Sequence, residues 1–366
     1  MAGNKGIRIK NIYYMLSYAF QVLKQSNYEE IAAEEFSMAQ DLFAAVLAKG
    51  VARQVKQGLY REYIVQHESL TALRGKLDMA ETMQNRMQRK PKLVCAFDEL
   101  SENNLYNQIL KTTMHYLIRD AGVDIRRKAA LNRVLVFFDG VDLLDPFSVP
   151  WKRLHLWKSN KTYEMLLTVC GFVLNGMLQT TEKGRYRMAA FSDEHMAKLY
   201  ERFILEYYRQ HHAYLDEIKA AQVKWNVTDG QEDGQKQQAD GQREQEANLL
   251  FLLPVMQTDI FLRYGEKILI IDAKYYGQTL QRHYDRCTLH SQNLYQIFAY
   301  VKNQDKENTG NVSGLLLYAK TDEAIVPDGS VCLGGNRIGA ETLDLNVDFR
   351  EIARQLDSIA GQYLGV

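Results

Sequence analysis

Apolar positions along the chain recur with two different periods, and the change of period marks where one architecture is expected to give way to another. Asn11, a residue type that favours helix N-caps, precedes Ile12, Leu16, Ala19, Phe20 and Leu23 at helical spacing, which predicts an amphipathic helix over 11–24. Leu42, Val46, Leu47 and Val51 share one face of a second helix, from Met38 to Gln57. Extended segments are expected around Tyr63 to Val65 and Leu73 to Leu77, with Gly75 as a turn residue. Further helices follow over 101–120 and 123–138, divided by Ala121-Gly122, and over 160–178.

From Asp193 the pattern changes. A helix over 194–212 leads to a short strand near Val223 to Val227, and 229–247 then carries hardly any apolar residue, which predicts a flexible or disordered surface loop. Strands at 255–263 and 267–273, a helix at 288–303, a strand at 312–319 and a helix at 346–362 complete the series. The fold class expected is α+β. A mainly helical N-terminal region with short strands, 1–185, precedes a C-terminal α/β domain, 186–366, around a central mixed sheet.

Composition sharpens this picture at three points. With 46% hydrophobic and 25% charged residues over 366 positions, the chain is ordinary folded protein of more than one domain's length. Lys+Arg and Asp+Glu are both 45, so a grip on duplex DNA by phosphate contacts must be local or supplied by a partner. Basic residues do gather at Arg86/Arg89/Lys90/Lys92, Arg126/Arg127/Lys128 and Lys183/Arg185/Arg187, where solvated surface is the plainer reading. Cys95, Cys170, Cys287 and Cys332 form no CxxC pair, so a zinc ribbon or a disulfide framework is not expected, and a cytoplasmic location is. No apolar run is long enough for a membrane span. The sequence also lacks HExxH and GxxxxGK[ST], so nucleotide hydrolysis by this chain is not expected.

The richest chemistry lies in Thr258-Asp259-Ile260-Phe261 and Lys267-Ile268-Leu269-Ile270-Ile271-Asp272-Ala273-Lys274. Residues two apart on a strand face the same way, so Asp272 and Lys274 project together. A hairpin through Tyr264-Gly265-Glu266 brings Asp259 toward Asp272 at its open end. Two converging carboxylates are hard oxygen ligands suited to Mg²⁺, and an adjacent ammonium orients a water or neutralises developing charge, the chemistry of phosphodiester hydrolysis. On the helix over 194–212, Met196, Leu199, Tyr200, Phe203 and Tyr207 define the apolar stripe. Glu206 falls roughly 80° from its centre and Glu201 roughly 140°, so Glu206 is the expected third metal ligand. Gln296 and Tyr300, one helical turn apart, are expected to support the site, and Tyr275, Arg282 and Arg286 to contact DNA.

This set resembles the PD-(D/E)xK nuclease pattern, with Thr258 where the motif has Pro. Gln296 and Tyr300 are similar to the Q-x-x-x-Y helix of its RecB-like members. More of the chain takes part in a second likeness, through Lys10-Asn11-Ile12-Tyr13-Tyr14-Met15-Leu16, Phe97-Asp98-Glu99-Leu100, Thr258-Asp259-Ile260, the Lys267–Tyr276 run and His290-Ser291-Gln292-Asn293-Leu294-Tyr295-Gln296. Together these resemble the McrC family, the nuclease subunits of McrBC modification-dependent restriction systems. The resemblance implies a Mg²⁺-dependent DNA endonuclease with Asp259, Asp272 and Lys274 as catalytic residues. It also implies a partner, a McrB-like AAA+ GTPase forming a hexameric ring, which binds the GTP and recognises methylated DNA. The N-terminal region is then expected to dock into that ring and stimulate its GTPase. Two other readings remain: a stand-alone RecB-like repair or defence nuclease, and a ring-binding regulator with an inert nuclease domain.

Overall fold

The computed structural model of the chain describes residues 7–24, 29–151, 154, 160–178, 193–227, 251–275, 280–283, 286–320 and 326–366. Two compact units emerge, Met1–Gln21 together with Asp193–Val366, and Val22–Ser192. The first helix, α1 (Ile9–Ala19), thus groups with the C-terminal half rather than with the N-terminal region expected to contain it. Asn11 is also not its cap. It is buried inside α1, where its side-chain amide donates to the carbonyls of Leu345 and Val347, each at 2.8 Å. The 229–247 segment, the cluster at Lys183/Arg185/Arg187 and Tyr276 lie outside the described residues.

The unit from Val22 to Ser192 holds α2 (Glu29–Ala33), α3 (Ala39–Gln57), β1 (Glu62–Leu70), β2 (Lys76–Asp78), α4 (Met79–Met87), β3 (Leu93–Ser101), α5 (Leu105–Arg119), α6 (Ile125–Leu135) and α7 (Lys161–Leu178). Its apolar core lies among α3, α5, α6 and α7, with Phe43 stacked on Phe172 at 5.7 Å. The strands form an antiparallel sheet in the order β1-β3-β2. Neither β3 nor α4 was anticipated. The helix expected from residue 101 starts later, because Asn104 caps α5 by accepting the Asn107 amide proton at 3.2 Å.

In the other unit follow α8 (Asp193–His211), β4 (Glu217–Lys219), β5 (Gln222–Val223), β6 (Met256–Gln257), β7 (Ile260–Tyr264), β8 (Lys267–Lys274), β9 (Leu280–His283), β10 (Arg286–Leu289), α9 (Ser291–Gln304), β11 (Val312–Ala319), β12 (Gly329–Leu333), β13 (Asn336–Leu343) and α10 (Phe349–Leu364). A six-stranded sheet runs β12-β13-β11-β8-β7-β4. It is mixed, as expected: β11 lies parallel to β8 and β13, while β7, β4 and β12 join antiparallel. Phe261, Ile270, Leu316 and Ile338 on one face pack with Ile297 and Val301 of α9. Gly314 of β11 makes this closeness possible, since a Cβ there would stand 2.7 Å from Ile297 Cγ1. The hairpin β9–β10 and strands β12 and β13 were not foreseen. No helix among the described residues is long and apolar enough to cross a membrane.

Candidate active site

The hairpin of β7 and β8 turns at Gly265-Glu266, where Gly265 has φ +57°, a conformation glycine adopts without strain. Tyr264 pairs with Lys267 and Ile260 with Ile271, so the next position outward sets Asp259 against Asp272. Opposed antiparallel residues share a face with their Cβ atoms about 5 Å apart, which makes the two carboxylates converge. Asp259 Oδ2 accepts the Ala273 amide proton at 2.9 Å. Lys274 Nζ lies 2.8 Å from Asp272 Oδ2, in a pair whose side chains are 13% and 2% exposed. The three residues expected to act together are therefore together.

Two further devices hold them. Thr258, where the nuclease motif has Pro, clasps Ala221: its amide donates to the Ala221 carbonyl at 2.9 Å and its hydroxyl accepts the Ala221 amide proton at 3.1 Å. Proline has no amide hydrogen and could not make the first of these bonds. Gln296 and Tyr300 form the second device. Lys274 Nζ donates to Gln296 Oε1 at 3.4 Å, Gln296 Nε2 to the Tyr300 hydroxyl at 2.8 Å, and that hydroxyl to the Gln257 carbonyl at 3.0 Å.

Burial raises the pKa of Asp259, and the nearby charges of Asp272 and Glu201 raise it further, against the Ala273 amide and Lys274. Asp272 is raised too, by burial, although Lys274 and a hydrogen bond with Asp259 oppose the shift. Two carboxylates this close disfavour each other's ionised form, and positive charge placed between them favours it. A divalent cation fits the need. Among the described residues no group of three or more His, Cys, Asp or Glu side chains encloses a metal position. Two carboxylates are a partial shell, which suits a hard cation that keeps waters and takes a phosphate oxygen.

The upstream acid facing this pair is Glu201, not Glu206. Burial raises the Glu201 pKa, while the charges of Lys274 and Asp272 act on it in opposite directions. Glu206 instead pairs with Arg209 on its own helix at 2.6 Å. The expectation failed because Ile204 and Tyr208 of α8, both fully buried, widen the buried face on the side of Glu201. A stripe drawn without them leans the wrong way. Tyr275 is likewise no surface contact, being 4% exposed with its ring 6.1 Å from that of Tyr200. Arg282 and Arg286 sit on β9 and β10, opposite Cys287 and His283; their side chains lie outside what the structure describes.

A family model for the McrBC 5-methylcytosine restriction system component matches residues 3–319. The chain belongs to the McrBC restriction-system family. Within it, the type IV methyl-directed restriction enzyme EcoKMcrBC of Escherichia coli K12 is 31% identical over 363 residues, which cover 98% of each chain. Among solved structures, a half-complex from the tetradecameric assembly of Thermococcus gammatolerans McrB AAA+ hexamers with bound McrC aligns at 18% identity and a TM-score of 0.46, covering 96% of this chain and 76% of that one. The McrBC complex of the same organism, seen by cryo-electron microscopy, aligns at 21% identity and a TM-score of 0.39, over 54% of this chain and 56% of that one.

The segments that carried the McrC resemblance divide into scaffold and site. Asn11 of α1 ties that helix to Leu345 and Val347, and Asn293 of α9 donates to the Tyr318 hydroxyl at 3.3 Å, both inside the unit. Phe97 of β3 is buried beneath the Arg74 guanidinium, 3.9 Å from the ring centre. The segments around Asp259, Asp272 and Gln296 meet at the carboxylate pair and its Lys274 ammonium.

Proposed function

We propose that the chain is the DNA-cutting subunit of a McrBC-type restriction complex, with Asp259, Asp272 and Lys274 as its catalytic residues. One observation carries this reading: a buried carboxylate pair and an ammonium converge at the end of β8 in a chain of the McrBC family. Asp259 and Asp272 would hold Mg²⁺. When bound, that cation supplies positive charge to polarise a scissile phosphate and to acidify water. Lys274 keeps an ammonium beside the pair, where negative charge builds on the phosphate oxygens during attack. Glu201 adds a third carboxylate, placed to order water or accept a proton. Such a set hydrolyses phosphodiester bonds rather than transferring hydride or acyl groups.

A ring-forming AAA+ GTPase is the inferred partner, carrying the GTP and recognising methylated DNA. Family membership supports this, since the matched model describes one component of a 5-methylcytosine restriction system. The Thermococcus assemblies pair hexamers of McrB with McrC, and the same arrangement is inferred for this chain. Equal numbers of basic and acidic residues accord with a subunit that borrows its DNA affinity. The unit from Val22 to Ser192 is the part assigned to ring docking and to stimulation of GTP hydrolysis.

The test combines the chain, its GTPase partner, GTP, Mg²⁺ and methylated DNA. Cleavage is expected only in the complete mixture. Asp272→Ala should lower it by roughly 10³-fold or more, as loss of a central catalytic group does, with GTP hydrolysis retained. Wild-type cleavage by Asp272→Ala would sink the assignment of the site. Full cleavage by the chain alone would instead favour a stand-alone nuclease.

A further inference from the structure

The hairpin β9–β10 stands in the chain between β8, which carries Asp272 and Lys274, and α9, which carries Gln296. Its register opposes Leu280 to Leu289, Gln281 to Thr288, Arg282 to Cys287 and His283 to Arg286. Opposed residues share a face of an antiparallel ribbon, and successive rungs alternate between the two faces. Positions 280, 282, 287 and 289 therefore occupy one face, and 281, 283, 286 and 288 the other. At the base of the first face Leu289 packs against the core cluster that contains Ile297 and Leu316. The second face has no apolar residue, and its Gln281 and Thr288 are exposed. The ribbon is thus anchored on one side and polar on the other.

Charge and position say what that polar face meets. The strand residues 280–283 and 286–289 include two arginines and a histidine and no carboxylate. In a chain whose basic and acidic residues both number 45, this is a local excess of positive charge, which a phosphate backbone attracts. Lys274 and Leu280 are six residues apart, so even a fully extended connection keeps the base of the ribbon within roughly 20 Å of the ammonium. That is less than one turn of duplex, about 34 Å. At its other end only His290 separates Leu289 from α9, whose Gln296 accepts from Lys274 at 3.4 Å.

We propose that β9–β10 is a DNA-binding ribbon that enters the major groove beside the scissile phosphate, with the face of Gln281, His283, Arg286 and Thr288 turned to the base edges. This rests on Asp259, Asp272 and Lys274 being the cutting site. The major groove, about 12 Å wide, admits a two-stranded ribbon, whereas the minor groove, about 6 Å wide, does not. Arginine pairs there with O6 and N7 of guanine, glutamine with N6 and N7 of adenine, and threonine with either kind of edge. Purine N7 is the acceptor that the first two share.

The experiment compares two methylated duplexes in single-turnover cleavage by the full chain with its GTPase partner, GTP and Mg²⁺. One duplex is natural; in the other, 7-deazapurines replace the purines away from the methylated bases, so that N7 becomes CH. The wild-type chain should need about tenfold more complex for half-maximal cleavage of the 7-deaza duplex, with the maximal rate unchanged. Gln281→Ala/Arg286→Ala should need more complex on natural DNA and should tell the two duplexes apart by less than twofold. Gln281→Ala alone, a change at an exposed position, should fall between them. Equal half-saturation of the wild type on both duplexes overturns the proposal, as a grip on phosphates alone predicts. So does a wild-type ratio retained in the Gln281→Ala and double variants, which would put the N7 contact on the partner. Asp272→Ala, run alongside, keeps the two readings apart. If it still cuts, the site is misassigned; if it is dead while the wild type treats both duplexes alike, only the role of the ribbon fails.

Discussion

Among the described residues there are two sheets of at least three strands, and they are built to opposite rules. In the six-stranded sheet every residue of β11 from Val312 to Ala319 is buried, as is usual for parallel strands covered by helices on both faces. In the three-stranded sheet, Tyr63 of β1 is 73% exposed and its partner Leu100 of β3 is 46% exposed. The difference follows from what each sheet holds. Asp259 and Asp272 repel each other whenever both are ionised, and loose support would then let them drift apart. Strands locked on both faces cannot yield in that way. The sheet β1-β3-β2 carries no such pair and leaves apolar side chains in water.

The largest effect that can break this contrast is kinetic. Glu201→Gln should slow cleavage by the complex roughly 10- to 100-fold, the range seen when a group supporting a metal site is lost. Glu206→Gln should stay within about twofold, because its partner Arg209 is exposed and a surface ion pair contributes little. Cleavage assays on both variants decide the matter. Equal losses would mean that α8 presents no particular carboxylate to the pair.

Next comes the packing that brings α9 to the sheet. In Gly314→Ala the new methyl group would meet Ile297 Cγ1 at 2.7 Å, Val301 Cγ2 at 2.8 Å and Ile338 Cδ1 at 3.1 Å. Overpacking of this kind costs about 1 to 3 kcal/mol, to be read from thermal or denaturant melting. Cleavage should fall further than stability alone explains, since Gln296 and Tyr300 ride on the displaced helix. Unchanged melting would show that α9 has room to spare.

A smaller effect is set by pH. Burial acts to raise the Asp305 pKa, but hydrogen bonds from Asn336, Gly310 and Thr309 outweigh it and hold the carboxyl at about 2. The Asn336 amide donates to it at 2.7 Å, tying the end of α9 to the start of β13. A carboxylate depressed below its unfolded value stabilises the fold above about pH 4, and the contribution is lost as pH falls from about 4 to about 2. Allowing for solvent screening, this amounts to on the order of 1 to 2 kcal/mol. Asp305→Ala should lose that stability at neutral pH and show a flatter acid limb. An unchanged acid limb would show that the clasp does not contribute.

How much of this was legible in sequence depended on whether the signal was local. Asp272 and Lys274 could be paired from strand alternation alone, and Gly265 marked the turn that brings Asp259 opposite. Glu201 was hidden because α8 buries Ile204 and Tyr208 as well as the obvious stripe, so periodicity could not say which flank meets the site. β3 was missed because Asp98 and Glu99 interrupt its apolar residues where the strand runs into solvent. β12 and β13 were missed because Gly329, Gly334, Gly335 and Gly339 dilute any strand signal, while their pairing is with each other and with distant β11. Asn11 looked like a cap because its true partners, the carbonyls of Leu345 and Val347, lie at the far end of the chain.

The smallest expected effect tests the other half of the contrast. Tyr63→Ser removes a large ring that already stands in water, so unfolding exposes little further apolar area at that position. What it loses is the cross-strand contact with Leu100, an opposed antiparallel pair contributing about 0.2 to 1 kcal/mol. Melting of the isolated chain should therefore shift by less than about 1 kcal/mol, below the Gly314→Ala change, although far more side-chain volume has been removed. A loss of several kcal/mol would show that β1 is packed as tightly as β11, and the division of labour between the two sheets would fall.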